Sequence, residues 1–311
     1  MRVLFWGTPE FAAAPLRALL GEGFEVIGVV TQPDKPVGRS RALTAPPVKE
    51  IALEEKIPCF QPATPKDQEF LDTIAAMQPD ISIVVAYGHI LPKRLIDLPR
   101  LGTLNIHASL LPLLRGAAPI QAAIRQGFRE TGVTIMRMVP ALDAGPVILS
   151  TTVPILEDET YGELQNRLAE AGALTLVEAL TLIDVGAARE TPQDDSLATY
   201  ARKVTRDDAR VDWNLSADEA GRIIRAYDPK PGAFTTLNGL DVKLFGARKI
   251  SDEAAGAGNP GSVISSSDGI IVACGEGAIC IRDVQPSGKK RMQSIEWMRG
   301  RGISIGDQLG T

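Results

Sequence analysis

The chain has 311 residues, 44% apolar and 23% charged, a composition that fits a globular protein of two ordinary domains. No apolar run is long enough to cross a bilayer. The opening residues Arg2-Val3-Leu4-Phe5-Trp6 lack the order of an export signal, so the expected location is the cytoplasm.

Strand-like runs occupy residues 3–6, 26–31, 81–86 and 103–106, with helical candidates at 9–20, 47–55 and 67–77. Strand and helix in alternation predict a parallel sheet with helices on both faces. The loop 34–49 carries Lys35, Arg39, Arg41 and Lys49 against only Asp34, and its prolines and Gly38 predict irregular structure. Strands at 132–138 and 147–155 then precede a helix over about 161–185.

Residues 187–196 are polar and carry Pro192 and three acidic side chains, which reads as a linker. The domain boundaries expected are 1–189, a linker at 190–204, and 205–311. Beyond the linker, Ser216 with Glu219 signals a capping box and Asn238-Gly239 a hairpin. Asp268-Gly269 and Gly275-Glu276-Gly277 separate further short strands, predicting a small β-barrel. The net charge of −5 argues against a nucleic-acid coat. The excess acid lies before residue 205, however, and Lys289, Lys290, Arg291, Arg299 and Arg301 face only Glu296. A solvated face is the ordinary reading of such a run.

The chain holds two histidines. His107 follows Asn105 by two residues at the end of a strand, so the two share a face near the carboxyl edge of the sheet. A carboxamide donor beside an imidazole suits acyl-type transfer, although a structural histidine would show the same spacing. Cys59, Cys274 and Cys280 have neither metal-ligand nor redox spacing and read as reduced thiols. Gly7-Thr8-Pro9-Glu10-Phe11 lacks the full dinucleotide fingerprint.

The wider motif shifts the balance. Asn105-Ile106-His107-Ala108-Ser109-Leu110-Leu111-Pro112, with Thr131-Gly132-Val133-Thr134 and Leu142-Asp143-Ala144-Gly145-Pro146, resembles the folate-dependent formyltransferase family. Ala86-Tyr87-Gly88-His89-Ile90-Leu91-Pro92 and the segment from Lys203 to Trp213 extend the likeness, in the tRNA-directed branch, along essentially the whole chain. The resemblance implies a Rossmann-like catalytic domain followed by an OB-like β-barrel. It implies formyl transfer from 10-formyltetrahydrofolate to the α-amino group of methionyl initiator tRNA, with no metal. Asn105 would then serve the oxyanion, His107 the protons, and Asp143 the orientation of the imidazole. Ser109, Leu110, Leu111 and Pro112 would form the folate loop, and Lys35, Arg39, Arg41 and Lys49 would contact tRNA phosphates. A monomer without membrane attachment is expected, and His89 reads as structural or exposed.

Two departures stand out. Leu113-Leu114 replaces the family's usual Arg-Trp pair, and Asp228-Pro229-Lys230-Pro231-Gly232 replaces Asn-Pro-Trp-Pro-Gly. Three other readings compete: formyl transfer to a small amine, hydrolysis of the formyl folate, and RNA binding without catalysis. The basic loop and the run from Arg115 to Gln121 favour tRNA over a small amine. The hydrolases usually carry an additional N-terminal domain, and the Asn105, His107, Asp143 trio speaks against a purely binding role.

Overall fold

The computed structural model describes residues 1–37, 42–250 and 258–311. It divides into two compact units. One comprises Met1–Gly116, Thr131–Pro154 and Gln165–Ala201; the other comprises Ala117–Glu130, Ile155–Leu164 and Arg202–Thr311.

The first unit opens with β1 (Arg2–Gly7), α1 (Glu10–Gly21) and β2 (Glu25–Val30). A hairpin of β3 (Lys35–Val37) and β4 (Ala42–Thr44) comes next, then α2 (Pro47–Glu54), β5 (Cys59–Phe60) and α3 (Gln68–Ala76). There follow β6 (Ile81–Val85), α4 (Lys93–Ile96), β7 (Thr103–His107) and β8 (Arg115–Gly116). After α5 (Pro119–Arg125), which belongs to the second unit, come β9 (Glu130–Arg137), β10 (Val147–Pro154), α6 (Tyr161–Asp184) and β11 (Tyr200–Ala201).

The main sheet has the order β10-β9-β7-β6-β1-β2-β5. Strands β5, β2, β1, β6 and β7 run parallel, giving a Rossmann-like core. Its strands are apolar because helices cover both faces: Val3, Leu4, Phe5, Ile81, Ile83 and Val85 are all 0% exposed. The parallel sheet expected from the alternation is present, with an antiparallel strand added at one edge. β9 pairs with β7 antiparallel, setting Thr134 opposite His107 and Met136 opposite Asn105. The chain leaving β7 turns back at the same end of the sheet, so β9 begins where β7 stops. Helix α6 buries Leu168, Leu176 and Leu180, spaced for one helical face. Gly172 brings it close to the sheet, since a Cβ there would lie 3.2 Å from Ile106 Cγ2.

The described part of the basic loop carries more regular structure than expected. Lys35 pairs with Thr44 and Pro36 with Leu43 in an isolated two-stranded ribbon, where a proline breaks no central ladder. Arg39 and Arg41 lie outside the described residues.

The second unit contains α7 (Ala217–Ala226), β12 (Ala233–Leu237), β13 (Leu240–Lys249), β14 (Val263–Ser266), β15 (Ile270–Ala273), β16 (Ala278–Pro286), β17 (Met292–Gln293) and α8 (Ser294–Arg299). Its antiparallel sheet runs β12-β13-β16-β15-β14, with β17 on β16. Ser216 and Glu219 form the reciprocal capping box of α7. Asn238 and Gly239 both take positive φ, +50° and +74°, as a tight hairpin between right-twisted strands requires. The core gathers Trp213, Ile224, Leu244, Val272 and Ile281, and Trp213 Nε1 donates to Thr235 Oγ1 at 2.9 Å.

Candidate active site

Strand β7 delivers Asn105 and His107 to the carboxyl end of the parallel core. Asn105 is half-buried, and its carboxamide makes no hydrogen bond to protein among the described residues. His107 is 6% exposed, and each ring nitrogen faces an oxygen. Nε2 lies 3.0 Å from the carbonyl oxygen of Leu114. A carbonyl can only accept, so Nε2 carries hydrogen and Nδ1 is the nitrogen that gains or loses a proton. Nδ1 faces Asp143 Oδ2 at 3.7 Å, an ion-pair distance once the ring is protonated.

Asp143 is fixed from two sides. Its Oδ2 accepts from the Gly116 backbone N–H at 2.8 Å, and its own carbonyl accepts from Gln193 Nε2 at 2.8 Å. The residue sits at φ +50°, a left-handed conformation that aspartate tolerates better than most side chains do. Gly145, two residues on, has no room for a side chain: a Cβ would lie 1.8 Å from the Arg137 carbonyl oxygen.

The loop 109–114 is shaped by hydroxyls. Thr134 Oγ1 donates to the Ser109 carbonyl at 2.7 Å and accepts from the Leu111 N–H at 3.2 Å. Ser109 is 1% exposed and its hydroxyl donates to the Leu113 carbonyl, so it holds the loop. Leu110, Leu111 and Pro112 are partly exposed and present an apolar surface. The departure at Leu113-Leu114 has a simple explanation. What the loop uses at both positions is the backbone carbonyl; the Leu113 side chain is exposed, whereas that of Leu114 is 1% exposed on backbone at φ +57°. Asp228 is also accommodated: it is 5% exposed, and its carboxylate accepts from the Gly246 N–H at 2.9 Å and Arg291 Nη1 at 3.2 Å.

Sequence reasoning did not single out Gln193 or Thr199, and it gave Arg115 no partner. Arg115 is 3% exposed, so its guanidinium does not face solvent to meet RNA. It donates instead to Gln193 Oε1 and, at 2.7 Å, to Asp195 Oδ1. Burial disfavours its charge, but the bonds to Asp195 and Tyr200 more than offset this and hold its pKa above the ordinary value. Thr199 Oγ1 accepts from the Leu114 N–H at 2.8 Å, and its carbonyl accepts from the Arg115 N–H at 2.8 Å. The end of the stretch read as a linker is therefore a bound segment of the first unit. A signal in the sequence was lacking, because bonds from side chains to distant backbone have no periodicity.

Among the four basic residues of the loop, Lys35 is exposed, whereas Lys49 Nζ lies 2.9 and 2.8 Å from the two oxygens of Asp34. Gln61 and Lys49 together hold the Asp34 carboxyl below the usual carboxylate range. His89 is exposed, with its ring 5.7 Å from that of Tyr87. Cys274 and Cys280 belong to the second unit, where burial pushes both thiols up to about 11 and keeps them neutral. Among the described residues no group of three or more His, Cys, Asp or Glu side chains is arranged to hold a metal ion, and no helix is long and apolar enough to cross a membrane.

Known proteins resemble the chain along its whole length. Residues 1–180 match the family model "Formyl transferase", and residues 203–302 match "Formyl transferase, C-terminal domain". A methionyl-tRNA formyltransferase of Pseudomonas fluorescens is 46% identical over 313 aligned positions, covering 100% of this chain and 98% of the relative. That of Pseudomonas entomophila is 47% identical over 97% and 96% of the two chains. The solved structure of HypX from Aquifex aeolicus in complex with tetrahydrofolic acid superposes with a TM-score of 0.68 at 20% identity, over 99% of this chain and 48% of that one. From residue 1 to its second domain, the chain belongs to the formyl transferase family, beside the methionyl-tRNA formyltransferases.

Proposed function

We propose that the chain transfers the formyl group of 10-formyltetrahydrofolate to the α-amino group of methionyl initiator tRNA, giving N-formylmethionyl-tRNA for translation initiation. One observation carries the reading. A carboxamide that bonds to no other group among the described residues stands beside a histidine whose exchangeable nitrogen faces a carboxylate, in a chain similar end to end to methionyl-tRNA formyltransferases.

The α-amine, with a pKa of about 8, supplies a neutral nucleophile at cytosolic pH. It attacks the formyl carbon, forming a C–N bond and a tetrahedral oxyanion that accepts from the Asn105 carboxamide. His107 takes the proton leaving the amine at Nδ1, and the Asp143 carboxylate stabilises the imidazolium. The bond from the formyl carbon to N10 then breaks, and the proton passes to N10 to release tetrahydrofolate. The steps need neither an enzyme-bound acyl group nor a metal.

Leu110, Leu111 and Pro112 form an apolar wall for the folate rings, with Ser109 holding the loop in shape. Lys35, Arg39 and Arg41 contact acceptor-arm phosphates, and Lys49, paired with Asp34, supports the base of the hairpin. The catalytic domain is taken as 1–189 and the second domain, an OB-type barrel that also contacts tRNA, as 205–311; the connection 190–204 is fastened to the first unit as far as Ala201. The protein acts as a cytoplasmic monomer.

The test is to incubate purified protein with 10-formyltetrahydrofolate and methionyl initiator tRNA, with elongator methionyl-tRNA in parallel, and follow N-formylmethionyl ester. Rapid product with the initiator alone is expected. Transfer to a sugar nucleotide or to water, with none to tRNA, would overturn the choice of acceptor while keeping the chemistry.

A further inference from the structure

The segment 193–201 fastens two loops that are far apart in sequence. On one side Thr199 binds the backbone of Leu114 and Arg115, and Ala201 lies in register with Gly116. That loop supplies the Leu114 carbonyl to His107 and the Gly116 N–H to Asp143. On the other side Gln193 Nε2 donates to the carbonyls of Asp143 and Gly145, at 2.8 and 2.7 Å. Its Oε1 accepts from Arg115 Nε and Nη2, at 3.1 and 2.8 Å. Both hydrogens and both lone pairs of this one carboxamide are thereby engaged. Gln193 is thus bound to the side chain of Arg115 in the first loop and to the backbone of the second.

We propose that Gln193 is a positioning residue for formyl transfer, setting the separation of Asp143 and His107 by tying the 143–145 loop to Arg115. The proposal rests on the roles given above to His107 and Asp143. Gln193 touches neither reacting group. It acts on the left-handed backbone at Asp143, which has to be held in place from outside, and so on the 3.7 Å gap across which the carboxylate meets the imidazole. Losing this bond is expected to change the catalytic step and to leave the surfaces that bind folate and tRNA in place.

Two variants test the idea. Gln193→Ala removes the bridge; Gln193→Glu keeps its size and its acceptor for Arg115 but turns an oxygen toward two carbonyls. Each is expected to lower kcat by on the order of tenfold to a hundredfold, with both KM values within about twofold, since a small misplacement chiefly affects the transition state. A second readout does not depend on the acceptor. In a His89→Gln background His107 is the sole histidine, and its ring ¹⁵N signals should shift in each variant. Wild-type kcat in either folded variant, or unmoved His107 signals, would overturn the proposal. So would a fall in kcat with both KM values rising alongside a lowered unfolding midpoint, the mark of general loosening. If the wild-type protein does not formylate methionyl-tRNA, the function reading fails, and the His107 signals still decide the role of Gln193.

Discussion

Replacing Asp143 with asparagine removes a charge while keeping the shape of the side chain. An asparagine oxygen can still accept from the Gly116 N–H, now at 2.8 Å, and asparagine adopts left-handed backbone readily, as the φ of +50° demands. The fold should survive, with an unfolding midpoint within a few degrees of wild type, on the order expected for an effect below about 1 kcal/mol. The catalytic loss should be large. Unit charges 3.7 Å apart interact by about 4 kcal/mol at an effective dielectric near 20, and the side-chain exposures of 6% and 13% justify that dielectric. Some water reaches the carboxylate, so a loss of about 2–4 kcal/mol is expected, roughly thirtyfold to a thousandfold in rate. The assay is single-turnover formylation of methionyl-tRNA at saturating donor, with a thermal melt of the same sample. An Asp143→Asn rate within about threefold of wild type would refute the charge argument and leave Asp143 a purely structural role.

Asn105→Ala is expected to cost about a hundredfold to a thousandfold in kcat, as loss of an oxyanion donor does elsewhere, and to leave the melt little changed because the carboxamide has no partner to lose among the described residues. Lys35→Ala should flatten the salt dependence of tRNA affinity by about one phosphate contact, a slope change of about 0.7–0.9, whereas Lys49→Ala, whose charge is already paired with Asp34, should change it less; titrations at several salt concentrations compare them. Asp208 is held well below the usual carboxylate range by Arg202, against the cost of burial and with help from Thr205 and Arg125. A depressed folded pKa contributes stability that is complete above the unfolded value of about 4 and fades as pH falls below it, so the destabilisation by Asp208→Asn, on the order of 2 kcal/mol at pH 7, should narrow steadily below pH 4 in melts across pH. Gly145→Ala forces a Cβ to within 1.8 Å of the Arg137 carbonyl, so the backbone must move; reduced solubility or a clearly lowered melt is expected, with activity lost together with it.

Local features were legible in the sequence because local physics sets them. Strand alternation put Asn105 and His107 on one face, Ser216 and Glu219 capped α7, and Asn238-Gly239 turned a hairpin, each from residues at most a few positions apart. The motif around Asp143 named the third member of the candidate site without saying how it reaches His107. Tertiary structure decided that. Pairing of β7 with β9 and the bond from the Gly116 N–H, 27 residues from Asp143, bring carboxylate and imidazole together. It also gave Arg115, which the sequence offered only as part of a family motif, its partners Gln193 and Asp195. A polar stretch with a proline looks like a linker from composition alone. Whether its carboxamides and carbonyls face water or a partner 50 residues away, as Gln193 faces Asp143, depends on loop geometry that no local pattern encodes.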